Sequence, residues 1–223
     1  MIFSWTLLGC TTPEPPSKPT VEDTRPDIVL ITIDTLRADR LGSYGDQHAK
    51  TPNLDALARE GYVFAENHSV TPLTLPSHAS MLTGLLPKNH QVRDNAGFVL
   101  DEKYTTIAES LQRAGYKTGG FISAYVLSHS WGIAQGFQTY YDPFHPQDLL
   151  EVSAFGEAQL PGNEVLNEAK NWWRNHDRAG NGEPRFAWIH LYDPHTPWNP
   201  PASWEGDPYR GEIAKVDHWL GDV

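Results

Sequence analysis

The stretch DIVLITID, Asp27 to Asp34, decides the fold. It is short, rich in β-branched residues and apolar at successive positions. Such a run fits a strand buried on both faces of a parallel sheet. The chain that follows alternates helix and strand. TPNLDALAREGYVF reads as a helix with Thr51 as cap, Pro52 in the first position, Leu54, Leu57 and Ala58 on one face, and Gly61 as stop. TTIAESLQRAGYKTGGFISA reads as a helix that buries Ile107, Leu111 and Ala114, ends at Gly115 and leads into the strand GGFISA. NEVLNEAKNWWRNH is a further helix and RFAWIHLYD a further strand. The alternation predicts an α/β fold with a mainly parallel sheet flanked by helices. From about Tyr140 to Gly162 the chain is irregular and rich in Pro, Gly and acids, which predicts a surface excursion. In YRGEIAKVDHWLGDV, Ile213, Val216, Leu220 and Val223 share one helical face. No cap or strand closes that element, so a fragment of a longer chain is expected.

Composition narrows the function. Hydrophobic residues make up 39% of the 223, with eight Trp, nine Tyr and eight Phe, which is globular rather than disordered. The formal net charge is -11, the wrong sign for nucleic acid or an anionic membrane surface. Ten histidines keep a metal or acid–base site open. The single cysteine, Cys10, excludes an intrachain disulfide. It ends the apolar opening MIFSWTLLGC and precedes the Pro-rich TTPEPPSKPTVEDTRP. Leu-Leu-Gly-Cys resembles the lipobox of bacterial lipoproteins, with Cys10 as the lipidated residue. Residues 1–26 are then signal and stiff tether, and residues 27–223 a catalytic domain. This predicts a periplasmic or cell-envelope protein anchored by lipid. The other reading is a frayed terminus with an incidental thiol.

Two places concentrate chemistry. Open α/β sheets put their sites at strand ends, and Asp34 stands where the first strand leaves the sheet. A carboxylate there needs a partner, such as a cation, or else caps a loop or helix. The second place is SVTPLTLPSHASMLTG, Ser69 to Gly84. Pro72 and Pro76 hold its approach extended, and SHASMLTG reads as helical, with Ala79, Met81 and Leu82 available for packing. Thr74 to Ser77 fall at the helix N-terminus, where free N–H groups and the dipole favour negative charge. A metal-bound Thr74 hydroxyl in that field is a usable nucleophile. The alternative is that Thr74 or Ser77 only caps the helix.

Four blocks, DIVLITIDTLRADRLGSYG, TPNLDALAREGYVFAENHSV, TPLTLPSHASMLTGLLP and FAWIHLYDPHTPW, resemble the N-terminal part of the sulfatase family, within the alkaline phosphatase superfamily. The family block reads Cys or Ser, any residue, Pro, Ser, Arg, then Thr-Gly. Here it is Thr74, Leu75, Pro76, Ser77 and His78, then Thr83 and Gly84. The resemblance implies Thr74 as nucleophile, with Ser77, His78 and Asn95 on the substrate. In sulfatases the Cys or Ser becomes formylglycine, a route closed to Thr74 because its β-carbon carries a methyl. Relatives with Thr there are phosphodiesterases and phosphotransferases, so phosphoryl transfer is slightly favoured over sulfate hydrolysis. Asn95 aligns with a donor to a phosphoryl oxygen; alternatively it is a turn residue after Asp94. His78 stands in place of the Arg and cannot make its bidentate fork, leaving a loop-orienting, packing or solvent role.

Asp34 matches the first metal-binding acid, and Thr35 stands where sulfatases have a second Asp. With Asp34 and Thr74 as ligands, the divalent metal is expected to be zinc rather than calcium or manganese. Arg37 and Asp39 are expected to fix the loop as an ion pair. In HLYDPHTPW, His195 is expected in the pocket, binding the ester or protonating a leaving oxygen. A structural role for His195, and a second-metal role for Asp193, stay open. Family members carry a later Asp-His or Asp-Asn pair, so the remaining ligands are expected past Val223. The expectation is a membrane-anchored hydrolase or transferase acting on a small-molecule, glycan or lipid ester. The rival is a catalytically incomplete, anion- or glycan-binding relative. Oligomeric state is not legible.

Overall fold

The computed structural model describes residues 24–144, 158–178 and 182–222. The expected lipobox with Cys10, most of the tether, Val223 and much of the 140–162 excursion lie outside the described residues. Four strands form one parallel sheet in the order β1-β4-β2-β3. They are β1 (Ile28–Ile33), β2 (Lys117–Ile122), β3 (Thr139–Tyr141) and β4 (Arg185–Leu191). The expected α/β class is what the chain adopts.

Register explains the layers. β1 pairs with β4 from Ile28 opposite Phe186 to Ile33 opposite Leu191. β4 has neighbours on both sides, and every residue after Arg185 in it is buried. Alternation sends Phe186 and Trp188 to one face and Ala187, Ile189 and Leu191 to the other. The first face packs on α2 (Thr74–Thr83) and α4 (Ile107–Arg113), through Leu75, Ala79, Leu82 and Ala108. The second packs on α5 (Gly162–Arg178) and α6 (Pro208–Leu220), through Val165, Leu166, Trp172 and Val216. The full burial expected of β1 belongs instead to β4. β1 is half-buried, with Val29 46% exposed, because among the described residues only β4 flanks it.

Helix α1 (Pro52–Glu60) begins and ends where expected, but its cap is different. The Thr51 hydroxyl accepts from Gly42 N–H and donates to Asp55, and caps nothing. The cap is supplied by α6. Buried Asp217 accepts from Asn53 N–H at 3.2 Å and from Leu54 N–H at 2.8 Å. A carboxylate there satisfies two orphan donors and faces the positive end of the dipole. Leu57 is 67% exposed, so the expected apolar face of α1 narrows to half-buried Leu54 and Ala58, and Leu54 packs near Tyr209 and Ile213.

In α4 the buried face turns by one residue. Ala108 and Leu111 meet the core, while Ile107 and Ala114 are exposed. The Thr106–Glu109 capping box sets that phase. In α6, Ile213 and Val216 are buried as expected. Part of the expected excursion is strand: Thr139–Tyr141 pairs with β2.

A short helix α3 (Pro87–His90) buttresses α2. Val92 N–H donates to His90 Nδ1, so the ring proton sits on Nε2 and donates to Ser80 Oγ at 2.9 Å. Ser80 in turn donates to Pro76 O. Burial pushes His90 below its usual 6.5. Replacing Asp217 by Ala should cost about 1–3 kcal/mol, read as a lower denaturant midpoint at unchanged slope; an unmoved midpoint contradicts the cap. Neutral His90 contributes fully above the unfolded pKa and loses its contribution as pH falls below it toward the lower folded value. The melting temperature should therefore drop more steeply between about pH 7 and 5 in the native chain than in His90→Gln. Equal slopes contradict this.

Candidate active site

Asp34 is the residue after β1, and its N–H still donates to Leu191 O at 2.9 Å, which holds it in the sheet. Thr35 then turns the chain at φ 52. A β-branched residue in that region costs on the order of 1–3 kcal/mol and needs support. Tyr209 of α6 supplies it, donating to Thr35 O at 2.6 Å and accepting from Arg37 N–H at 3.0 Å. The Arg37–Asp39 pair forms as expected at 2.6 Å, both partners exposed. Its hydrogen bond raises the Arg37 pKa and lowers that of Asp39.

Across from Asp34, α2 starts at Thr74 itself, one turn earlier than SHASMLTG suggested. The N-cap is Leu73, so neither Thr74 nor Ser77 caps the helix. Gly84 ends it at φ 69, which glycine adopts without strain. The Thr74 hydroxyl donates to Asp34 Oδ2 at 3.0 Å. Both groups line a cleft of about 790 Å³, with Ser77, His78, Arg37 and the segment Asn67–Leu73. Ser77 Oγ lies 2.9 Å from Ser69 Oγ. Met81 is 46% exposed and lines the cleft, whereas Ala79 and Leu82 carry the packing.

Asn95 meets the start of α2. Its Oδ1 accepts from Leu75 N–H at 2.9 Å, so it caps the helix from a distance. Pro76 has no N–H to offer. The expected row of free donors at this N-terminus is thus largely spent, and Asn95 is not among the residues lining the cleft. His78 is 6% exposed and donates from Nδ1 to Thr74 O at 2.7 Å. Burial keeps its pKa below 6.5. The ring packs on Trp188 and edge-on to His190, at 5.6 and 4.7 Å between centroids.

His195 and Asp193 stand elsewhere. His195 stacks on Tyr192 at 4.3 Å, hydrogen-bonds Thr196 O through Nδ1, and is not among the cleft-lining residues. The short stretch between Leu191 and Pro197 turns it away from the Asp34 cleft. Asp193 pairs with Lys215 at 3.0 Å and accepts from Gly162 N–H, so it secures α5 and α6. Burial opposes the Lys215 charge, but hydrogen bonds to Glu212 and Asp193 outweigh it and raise its pKa.

The residue that the sequence reading passed over is His190. It lies inside β4, fully buried, with Nδ1 3.0 Å from Thr32 Oγ1 and Nε2 3.8 Å from Asp34 Oδ2. The signal was a polar residue in a run otherwise apolar on both faces. Toward a divalent cation, Asp34 and Thr74 offer two oxygens. Among the described residues no group of three His, Cys, Asp or Glu side chains could hold a metal. That falls short of a four-ligand zinc shell.

The family model "Sulfatase" matches residues 26–218. An arylsulfatase of Clostridium perfringens is 28% identical over 84% of this chain and 47% of its own length. An N-acetylglucosamine-6-O-sulfatase of Bacteroides thetaiotaomicron is 28% identical over 87% of this chain and 34% of its own. The chain thus spans about half or less of these relatives. In fold, it resembles a phosphonate monoester hydrolase of Agrobacterium radiobacter, with a TM-score of 0.67, 22% identity, and coverage of 89% of this chain and 58% of that one. Matched over most of its length, with Asp34 and Thr74 meeting at the end of its first strand, the chain belongs to the sulfatase family.

Proposed function

We propose that the protein is a hydrolase of sulfuric or phosphoric esters in which Thr74 is the nucleophile. The observation that supports this most is the 3.0 Å hydrogen bond from Thr74 Oγ1 to Asp34 Oδ2 at the floor of an open cleft. Asp34 orients the hydroxyl and accepts its proton as Oγ1 bonds to the central sulfur or phosphorus. The bond to the leaving alcohol oxygen breaks, and solvent protonates that oxygen. Water then cleaves the threonyl ester: its oxygen joins the sulfur or phosphorus, Oγ1 leaves and takes back the proton held on Asp34, and the water's own proton goes to solvent. Among the described residues Arg37 is the one Arg or Lys lining the cleft, and an anionic group there would compete with Asp39 for its guanidinium.

The relatives favour sulfate esters as the substrate class, including those of amino sugars. Thr74 favours a second reading, phosphate esters, since its methyl-bearing β-carbon cannot become formylglycine. Family members generally depend on a divalent metal; Asp34 and Thr74 would supply only two of its ligands, and zinc is the ion we propose because Thr35 removes the second carboxylate that a many-oxygen calcium site would use. Lipid anchoring through Cys10 in a bacterial envelope is proposed from Leu7-Leu8-Gly9-Cys10 and the Pro-rich stretch after it. Among the described residues, no helix is long and apolar enough to cross a membrane.

Turnover of an aryl sulfate and an aryl phosphodiester should fall on the order of 10³-fold or more in Thr74→Ala, and recover in part in Thr74→Ser. Loss on the phosphodiester alone supports the phosphoryl reading, and loss on the sulfate alone the sulfate reading. Full activity of Thr74→Ala on both contradicts the nucleophile.

A further inference from the structure

Four polar side chains form a line between the sheet and α2. Trp188 Nε1–H donates to Thr32 Oγ1 at 3.1 Å. Thr32 Oγ1 lies 3.0 Å from His190 Nδ1, its neighbour across the parallel register. His190 Nε2 then faces Asp34 Oδ2 at 3.8 Å, the same oxygen that accepts from Thr74. His190 is 0% exposed, and its Nε2 has no hydrogen-bond partner.

We propose that Thr32 and Trp188 fix His190 with its proton on Nε2, making it the positioning residue that holds the Asp34 carboxylate toward Thr74. An indole N–H can only donate, so it occupies an acceptor site on Thr32. The Thr32 hydroxyl hydrogen then finds its acceptor in His190 Nδ1. A neutral imidazole has a single N–H, which must be Nε2. With Nδ1 accepting from Thr32, the ring carries one proton and no charge.

The opposite tautomer is penalised twice. It leaves the Thr32 hydrogen without an acceptor, and it turns the Nε2 lone pair toward a carboxylate. The 3.8 Å separation is longer than a hydrogen bond, yet a buried N–H without a partner costs about 1–3 kcal/mol. Asp34 is the acceptor that a shift of under about one ångström would bring into reach. Hydrogen bonds at reacting centres are often long at rest and shorten when substrate is bound. Once Thr74 has passed its hydroxyl proton to Asp34, Nε2–H remains as a donor to Oδ2 and keeps the carboxyl group in place. This rests on Asp34 and Thr74 being the reacting pair.

Two measurements test the proposal and separate it from that reading. Long-range ¹H–¹⁵N spectra of the 223-residue chain should show His190 protonated at Nε2, and Thr32→Val should shift it toward the Nδ1–H form. A native His190 protonated at Nδ1 overturns the proposal whatever the catalytic outcome. In the active protein, His190→Asn places its amide near the Nδ1 position and should lower kcat about 10²-fold with KM little changed. His190→Gln, whose amide reaches the Nε2 position, should recover much of that loss. Equal kcat in Asn and Gln variants that both melt cooperatively overturns the positioning role. An active Thr74→Ala would defeat the nucleophile while leaving the tautomer result intact.

Discussion

One hydrogen bond, Thr74 Oγ1 to Asp34 Oδ2, joins residues 40 apart in sequence, and the architecture of the site depends on it. Neither group finds the other by local geometry. Asp34 is placed by the register of β1 on β4, which extends one rung past the strand through Asp34 N–H. Thr74 is placed by the rotation of α2, set where Leu75, Ala79 and Leu82 enter the core. A one-residue slip of that helix would turn Thr74 by about 100°. Removing one such buried leucine costs about 2–5 kcal/mol, so packing holds the phase more firmly than the hydrogen bond alone could. Asn95 and Pro76 fix the start of the helix, and Tyr209 fixes the turn after Asp34.

The space between sheet and α2 is unusual for a core. Phe186 and Trp188 fill it toward the amino ends of the strands, while His78 and His190 fill it near the carboxyl ends. Both rings are neutral, both are held at Nδ1, and both leave Nε2 buried without a partner. Unpaired buried polar atoms are destabilising, and natural folds hold few of them. These two sit on rings in edge-on contact, one of which faces Asp34 Oδ2 at 3.8 Å, so part of that cost is borne beside the Asp34–Thr74 pair. Among the described residues Arg40 Nε, Gln135 Oε1 and Trp172 Nε1 are also buried without a hydrogen-bond partner, whereas Asp217 caps α1 and Lys215 joins Asp193 and Glu212.

Much of this was legible in the sequence because it is local. The β-branched run at residues 28–33, the Pro52 start of α1 and the Gly84 stop of α2 each carry their own signal. So did the Asp34–Thr74 pairing, though through resemblance of whole blocks and not through spacing. What stayed hidden depends on tertiary partners. The helix cap moved from Thr51 to Asp217 because α6 packs beside α1, which no window around Thr51 reveals. Asn95 was expected as a substrate donor, and the tertiary contact that a sequence window does not reveal is the bond its Oδ1 accepts from Leu75 N–H. His195 stood out in HLYDPHTPW, yet the buried histidine beside Asp34 is His190, inside the strand that the same stretch continues.

The central claim is that the Thr74 oxygen becomes covalently bonded to the substrate's central atom. Mass spectrometry of the protein, acid-quenched during turnover of an activated aryl sulfate or aryl phosphodiester, tests it directly. The account predicts a sulfuryl or phosphoryl adduct confined to the peptide bearing Thr74, accumulating with substrate and lost on chase. Turnover with no adduct at any quench time, or an adduct on another residue, would contradict it.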